Sequence, residues 1–249
     1  MRALQITDSH LTADPAFELN GFNVRERYER VLEHLRTRDP QPELVLFTGD
    51  LSHDEGFAVY DAVRADLEAI GAPALVIPGN HDLPDAFTRA FPDKGLVSSR
   101  FDYALEGWRF LNLNSQIPDD IPGRLGAEQL ERLEAALSAD PNTPTLVSLH
   151  HPVVPVGAAW LDAHRIDDAD QLLKCLQRHE QVKLLLCGHV HHATDVEVRP
   201  GLRQLTGPAT SAPFKAGSEE FALGDEPPGI RWLHLEPDGS FDTEVEYIA

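Results

Sequence analysis

Short apolar runs recur along most of the chain and are separated by amphipathic segments. Runs without polar interruption, rich in leucine, valine and isoleucine, are typical of strands in a sheet that is covered on both faces. Six such runs span residues 3–7, 44–48, 75–78, 110–113, 145–150 and 184–187. We therefore predict a largely parallel sheet system with buried strands.

The segments between these runs have helical spacing, with apolar residues three or four positions apart. Four helix faces follow this pattern: Tyr28, Val31, Leu32 and Leu35; Val59, Val63, Leu67 and Ile70; Leu130, Leu133 and Leu137; and Leu172, Leu173 and Leu176. Strands that alternate with helices predict an α/β fold.

The pattern changes after His192, where short strands are joined by glycine and proline without a helix between them. This composition predicts a second, mostly antiparallel sheet packed on the first. No linker composition separates the two regions, and no internal repeat is visible. We therefore expect residues 1–249 to form a single domain.

The charge of the chain restricts its partners. Asp and Glu number 41 against 21 Lys and Arg, which gives a formal net charge of −20 at pH 7. An acidic surface repels the phosphate backbone of nucleic acids, so we expect no nucleic-acid partner. Small anions remain possible substrates, because a bound cation inverts the local field.

The sequence also predicts a cytoplasmic protein. Its first residues enter a strand-like pattern directly, without the features of a secretory leader, and no apolar run is long enough to span a bilayer. The two cysteines, Cys175 and Cys187, each lie in an apolar setting, which is typical of small core residues in a reducing compartment. We therefore expect no membrane partner.

Five short stretches that contain histidine or aspartate follow predicted strands. They are "TDSH", "TGD", "PGNHD", "LHHP" and "CGHVH", with Asp8, His10, Asp50, Asn80, His81, Asp82, His150, His151, His189 and His191. Any one stretch is commonly only a turn or a helix cap. Together they bring carboxylate, imidazole and amide groups to the carboxyl ends of strands, where α/β sheets place their ligands.

This donor set is typical of a metal centre. Oxygen and imidazole ligands without a thiolate cluster favour borderline-hard ions such as Mn, Fe or Zn. Two Asp, one Asn and four His side chains from these strand ends make seven candidate ligands, which are too many for one ion and fit two.

The order of these motifs resembles that of the calcineurin-like metallophosphoesterases. Further stretches, "GDLSHDEGFAVY", "VIPGNHDLPDAF", "AWLDAH" and "PFKAG", resemble the bacterial class III cyclic 3′,5′-AMP phosphodiesterases. The resemblance covers most of the chain. It implies a four-layer α/β sandwich, with two mixed sheets flanked by helices.

The resemblance also assigns the ligands. One ion would be held by Asp8, His10, Asp50 and His191, and the other by Asp50, Asn80, His150 and His189, so that Asp50 bridges the two ions. His150 is chosen over His151 because the family's ligand is the histidine two positions before the proline. The ions would be divalent or mixed-valence transition metals, Fe and/or Mn, with Zn or Co as alternatives.

The implied reaction is the hydrolysis of cyclic 3′,5′-AMP to 5′-AMP by a metal-bound hydroxide. The resemblance implies that His81 donates a proton to the leaving ribose oxygen, and Asp82 is expected to orient His81. Residues 160–164 and 214–215 are expected to line the pocket for the base and ribose. The stretch "GPATSAPFK" departs from the class III pattern, because alanines replace larger polar or sulfur-containing side chains.

Two alternatives remain at this stage. The same metal centre could act on another small phosphodiester, a nucleotide or a phosphomonoester. The fold could also serve as a non-catalytic scaffold, although such a protein would be expected to have lost ligands. The sequence does not determine the oligomeric state.

Overall fold

Two six-stranded sheets carry the fold in the computed structural model, which describes residues 1–53 and 56–249. Sheet I contains, in spatial order, β14 (Phe241–Tyr247), β13 (Gly229–Leu235), β1 (Arg2–Ile6), β4 (Leu44–Phe47), β5 (Ala74–Val76) and β6 (Val97–Ser98). Sheet II contains β11 (Thr194–Arg199), β12 (Leu202–Thr206), β10 (Val182–Cys187), β9 (Thr145–Ser148), β8 (Trp108–Asn112) and β7 (Asp102–Leu105). Both sheets are mixed: sheet I is antiparallel from β14 to β1 and parallel from β1 to β6, whereas sheet II is parallel in its centre and antiparallel at both edges.

Helices and one small hairpin connect the strands. The hairpin pairs β2 (Glu18–Leu19) with β3 (Phe22–Asn23). The helices are α1 (Val24–Thr37), α2 (Phe57–Ile70), α3 (Pro84–Ala90), α4 (Gly126–Ala139), α5 (Ala159–Asp162) and α6 (Ala169–Leu176). Asn23 caps α1, since its side-chain oxygen accepts from the backbone N–H of Glu26 at 2.9 Å. α2 ends at Gly71, whose φ of 83° suits a glycine.

Three apolar clusters divide the molecule into four layers. The first joins α1, α2 and α3 to the outer face of sheet I, and the second joins α4 and α6 to the outer face of sheet II. The third lies between the two sheets and includes Leu46 and Leu233 of sheet I with Phe110 and Leu186 of sheet II. The predicted four-layer sandwich is confirmed, because each strand run is buried from both sides.

The prediction for the C-terminal region was wrong in its pairing. β11 and β12 join the edge of sheet II, where β12 runs parallel to β10. β13 and β14 instead join sheet I, where β13 runs antiparallel to β1. The four strands therefore complete both sheets and do not form a separate antiparallel one. Hydrophobic alternation shows which face of a strand is buried, but it does not show which strand edge it pairs with.

Among the described residues, no helix combines the length and the apolar character that crossing a bilayer requires. Both cysteines are free and buried, as expected for small core residues.

Candidate metal centre and substrate pocket

The predicted ligands lie on loops at one end of the sandwich. Sheet I supplies the loops that follow β1, β4 and β5, and sheet II supplies those that follow β9 and β10. The carboxyl ends of these parallel strands face the same edge, so side chains far apart in sequence meet there. The structure brings together Asp8, His10, Asp50, Asn80, His81, His150, His189 and His191.

The backbone of these loops is unusual. The φ angles of Asp8, His10, Asp50, His189 and His191 are 54°, 47°, 52°, 70° and 55°. L-residues rarely adopt this left-handed region, and each such residue costs about 1–3 kcal/mol unless the surrounding structure enforces it. Strain of this kind clusters at functional sites. The loops therefore direct these side chains into the site although the backbone conformation that does so is energetically unfavourable.

Gly49 shows how closely the loops approach each other. Its φ is 99°, and a Cβ atom placed on it would overlap the His150 ring and lie 2.9 Å from the Gly79 nitrogen. Only glycine allows His150 to pack against this turn. The glycine of the "TGD" motif is therefore required by the packing of a candidate ligand.

We expect Gly49→Ala to lower kcat/KM for bis(4-nitrophenyl) phosphate by about 100-fold, because a displacement of about 1 Å in a catalytic group has an effect of that size. Gly126→Ala is the matched control: its φ is also positive, at 75°, but a Cβ there meets open space. The control should lose stability but retain activity. Equal activity losses in both variants would show that backbone strain, and not displacement of His150, is responsible.

The first group of donors contains Asp8, His10, Asp50 and His191, whose ligand atoms all lie within 4.8 Å of one another. His191 donates its Nδ1–H to the Ala212 carbonyl at 2.7 Å, so its Nε2 carries a lone pair. That Nε2 lies 3.0 Å from His10 Nε2 and 3.6 Å from an Asp8 carboxylate oxygen. Buried acceptors that face one another require a proton or a cation between them.

The second group surrounds His150. Its Nδ1–H donates to the Thr48 carbonyl at 2.7 Å, which leaves Nε2 directed at Asn80 Oδ1, at 3.2 Å. His189 Nδ1 lies 3.0 Å from the same Asn80 oxygen. These atoms are again nitrogen and oxygen donors that converge on one point.

Asp50 lies between the two groups. Its Oδ2 is 3.5 Å from His10 Nε2 and 3.3 Å from His150 Nε2, while its Oδ1 accepts the backbone N–H of His81 at 2.9 Å. One carboxylate oxygen thus faces the histidines of both groups. This is the position that a bridging ligand requires.

The electrostatics of the cluster fit bound cations. Burial raises the pKa of Asp8 to about 7, which reports a carboxylate with too little positive charge around it. Burial also lowers the pKa of His10 well below its usual value, so its imidazole is held neutral, the form that binds metal. Burial lowers the pKa of His189 and His191 in the same way, whereas at His150 the Asp50 and Asp8 carboxylates outweigh burial and raise the pKa to about 9. Buried carboxylates beside mostly neutral imidazoles are a donor set that transition-metal ions satisfy.

His151 is placed differently from His150. Its Nε2 donates to the Ile121 carbonyl at 2.9 Å, and its Nδ1 lies 2.8 Å from the Ser115 hydroxyl. Both ring nitrogens therefore have partners within the protein, although His151 also lies close to His150 and His189. This arrangement favours His150 as the ligand.

Asp82 is buried, and its carboxylate accepts backbone N–H groups of Gly79, Leu51 and Ser52 at 2.8–3.1 Å. These bonds tie the "PGNHD" loop to the loop that carries Asp50. The expected role of Asp82 in orienting His81 stays a prediction. His81 is half-buried, and its ring stacks on that of His53 with centroids 4.7 Å apart.

Several supporting groups were not identified from the sequence. The carbonyls of Thr48 and Ala212 fix the tautomers of His150 and His191, and the Ser211 hydroxyl donates to the Asp8 carbonyl at 2.5 Å. Backbone carbonyls have no signature in side-chain patterns. The alanines of "GPATSAPFK", Ala209 and Ala212, are buried, form backbone contacts with His191 and do not line the pocket.

The donor cluster forms the floor of a pocket of about 260 Å³. Trp160, Leu161, His164 and Phe214 line it, as expected, whereas Lys215 is exposed and is not part of the lining. Leu19, Asn20, His53 and Ile121 also line it and were not predicted as pocket residues. The pocket therefore has polar donors at its base and mostly apolar walls.

Comparison with known proteins agrees with this geometry. The sequence model of the calcineurin-like phosphoesterase family matches residues 1–193. The chain is 38% identical over 249 residues to the 3′,5′-cyclic adenosine monophosphate phosphodiesterase CpdA of Escherichia coli (strain K12), a match that covers 100% of this chain and 90% of the relative. It is 35% identical over 244 residues to the 3′,5′-cyclic-nucleotide phosphodiesterase alr5338 of Nostoc sp., covering 98% and 91% of the two chains.

Solved structures share the fold at low sequence identity. A dimetal phosphatase from Danio rerio superposes with a TM-score of 0.71 at 15% identity, covering 99% of this chain and 98% of the other. The protein TT1561 of Thermus thermophilus has a TM-score of 0.61 at 15% identity, with 90% and 97% covered. Fold, motif order and full-length similarity agree, and the chain is a member of the calcineurin-like phosphoesterase family.

Proposed function

We propose that this protein is a dinuclear metal-dependent phosphodiesterase that hydrolyses cyclic 3′,5′-AMP to 5′-AMP. One observation carries the proposal: the two donor groups meet at Asp50 on the floor of an apolar-walled pocket. The similarity to relatives named as cyclic-nucleotide phosphodiesterases, which extends over the whole chain, supports the choice of substrate.

The ligand sets follow the two groups. Asp8, His10, Asp50 and His191 would hold one ion, and Asp50, Asn80, His150 and His189 the other. We propose Fe and/or Mn as the native ions, with Zn or Co as alternatives, because the set combines imidazole, carboxylate and amide oxygen. When bound, such ions polarise the phosphoryl oxygens and activate water for in-line attack.

The chain's own residues would position the substrate and move one proton. The carbonyls of Thr48 and Ala212 keep His150 and His191 in the tautomers that leave Nε2 free. His81 lines the pocket with its backbone anchored to Asp50. From there its ring would donate a proton to the ribose 3′ oxygen as that oxygen leaves, which is general acid catalysis.

The charge of the pocket favours a diester over a monoester. Within the described part of the chain, no lysine or arginine lines it. A phosphodiester carries one negative charge at neutral pH, whereas a phosphomonoester carries nearly two and needs more cationic partners. The cations at the floor would neutralise the single charge, and the apolar walls would accept the nucleoside.

The direct test measures kcat/KM for cyclic AMP with Mn²⁺ or Fe²⁺ supplied, with the product identified by chromatography. We expect 5′-AMP as the product, loss of activity on chelation, and slower hydrolysis of 4-nitrophenyl phosphate than of bis(4-nitrophenyl) phosphate. Negligible turnover of cyclic AMP beside rapid hydrolysis of bis(4-nitrophenyl) phosphate would support the metal centre but show that cyclic AMP is not the substrate. No turnover of any phosphoester by metal-loaded protein would favour the non-catalytic scaffold.

We also propose a single domain over residues 1–249, because one apolar cluster contains residues of both sheets. The free, buried cysteines support a location in the reducing cytoplasm.

A further inference from the structure

The pocket walls above the donor floor differ from each other in chemistry. One wall is aromatic and is formed by α5 and by the segment 213–224, which carries Phe214 and Phe221. The tip of the β2–β3 hairpin, with Leu19 and Asn20, forms another part of the lining. A ligand with a flat apolar face and a polar edge would match both.

Trp160 and Phe214 form the aromatic wall, and Phe221, which does not line the pocket, packs against both rings. The Trp160 ring lies 5.1 Å from that of Phe214 and 5.3 Å from that of Phe221, in edge-to-face arrangements. Phe214 in turn stacks on His191, with centroids 4.0 Å apart and an angle of 1° between the planes. The aromatic wall therefore begins directly at a candidate metal ligand and extends outward.

This wall is held in place by hydrogen bonds. Trp160 Nε1 donates to the Ser218 hydroxyl at 3.2 Å, and the Ala159 N–H donates to the Ser218 carbonyl at 3.2 Å. The segment 213–224 closes on itself, since Lys215 N–H donates to the Ala222 carbonyl at 2.9 Å. A preorganised aromatic surface binds a planar ring at a low entropic cost.

Asn20 supplies a polar group to the pocket lining. It occupies the turn of the hairpin with a φ of 53° and is followed by Gly21, with a φ of 86°, as in a type I′ Asn-Gly turn. Asparagine suits this turn, so the turn alone accounts for the backbone. The amide is exposed, lines the pocket, and has no hydrogen-bond partner among the described residues.

We propose that this pocket contains an adenine subsite in which Trp160 stacks on the base and the Asn20 amide reads its hydrogen-bonding edge. The inference rests on the proposed function and names the part of the substrate that the walls select. Asparagine pairs with the N6 and N7 atoms of adenine, with its amide oxygen accepting and its nitrogen donating. Guanine offers two acceptors at the same edge and would leave one of these bonds unmade.

The test of stacking compares cyclic AMP with ribose 3′,5′-cyclic phosphate that lacks a base. We expect Trp160→Leu to lower kcat/KM for cyclic AMP by about 10-fold, within the range found for base stacking on aromatic residues. Activity on the base-free substrate should be unchanged, and Trp160→Phe should restore most of the loss. Equal losses on both substrates would overturn the stacking role and show that Trp160 only supports the structure.

The test of the polar edge uses Asn20→Gly, which keeps the positive φ of the turn and removes the amide. We expect kcat/KM to fall about 5-fold for cyclic AMP and by a smaller factor for the cyclic phosphate of purine riboside, which keeps N7 but lacks the 6-amino group. The ratio of kcat/KM for cyclic AMP to that for cyclic GMP should also fall by about 5-fold. An unchanged preference would overturn the role of Asn20.

Failure of this inference is distinguishable from failure of the proposed function. If wild-type protein hydrolyses bis(4-nitrophenyl) phosphate but not cyclic AMP, the proposed substrate is wrong and the subsite is rejected with it. If wild-type protein hydrolyses cyclic AMP and the base-free cyclic phosphate equally well, the function stands and the adenine subsite alone is rejected.

Discussion

Asp50→Ala is expected to lower kcat/KM for both cyclic AMP and bis(4-nitrophenyl) phosphate by at least about 10³-fold, even at saturating Mn²⁺. Asp50 is the carboxylate that faces the histidines of both donor groups, with Oδ2 3.5 Å from His10 Nε2 and 3.3 Å from His150 Nε2. Removing one electrostatic group from an active site costs about 10²–10³-fold, and here one change affects both proposed ions. Metal content by mass spectrometry, measured beside the kinetics, should fall as well.

Asp168→Asn is the matched control, because Asp168 is also a buried carboxylate that accepts backbone N–H groups, those of Leu125 and Gly126. It lies at the start of α6, outside the donor cluster, so turnover should stay within about 2-fold of wild type, as expected for a change away from the reacting groups. An Asp50→Ala protein that retains two ions and full activity would contradict the bridging assignment.

His81→Ala is expected to lower the activity on two substrates to different extents, depending on how basic the leaving group is. A positioned general acid contributes about 10²–10⁴-fold when the leaving oxygen is basic. We expect kcat for cyclic AMP, whose ribose alkoxide leaves poorly, to fall by about 10²-fold or more. For bis(4-nitrophenyl) phosphate the loss should stay below about 10-fold, because nitrophenolate leaves without a proton.

Metal content decides between a proton donor and a ligand at this position. His81 belongs to neither proposed ligand set, so the variant should bind both ions, although its ring also lies within 4.8 Å of possible donor atoms of His10 and His53. His34→Ala serves as a histidine control, since His34 pairs with Glu246 at 2.9 Å on α1, outside the substrate pocket. Loss of metal from the His81 variant, or equal loss of activity on both substrates, would argue against the acid role.

The class of fold could be predicted because its signals are local. Uninterrupted apolar runs became the central strands of both sheets, and helical spacing became α1, α2, α4 and α6. The short edge strands β6 and β7 and the helix α3 were not predicted. They have seven residues or fewer, so their patterns carry little periodic information.

His179 makes a contact that its local sequence does not reveal. It lies in a charged stretch, but it is 7% exposed and its Nε2 lies 3.1 Å from Glu134 of α4. The partner is 45 residues away in the sequence. A charged local sequence does not show that a neighbouring helix will cover a side chain.

Some features of the candidate site could be predicted from the sequence, and others appear only in the structure. Sequence motifs identified the residues that meet at the strand ends, because the position after a parallel strand already predicts a common edge. The ligand roles stay predictions. The pocket lining was anticipated only in part: Trp160 and Phe214 line the pocket, whereas Lys215 does not, and Asn20, which also lines it, was missed.

The sequence by itself determined the α/β class, the family and the residues at the strand ends, because periodicity and motif order can be recognised from the order of residues along the chain. Only the tertiary structure decided which sheet β13 joins, which histidine nitrogen faces the cluster, and that Asn20 and Trp160 line one pocket. Contacts such as the His189 N–H bond to Asp8, across 181 residues, depend on how the layers pack. Packing is a property of surfaces brought together from the whole chain, and no single segment encodes it.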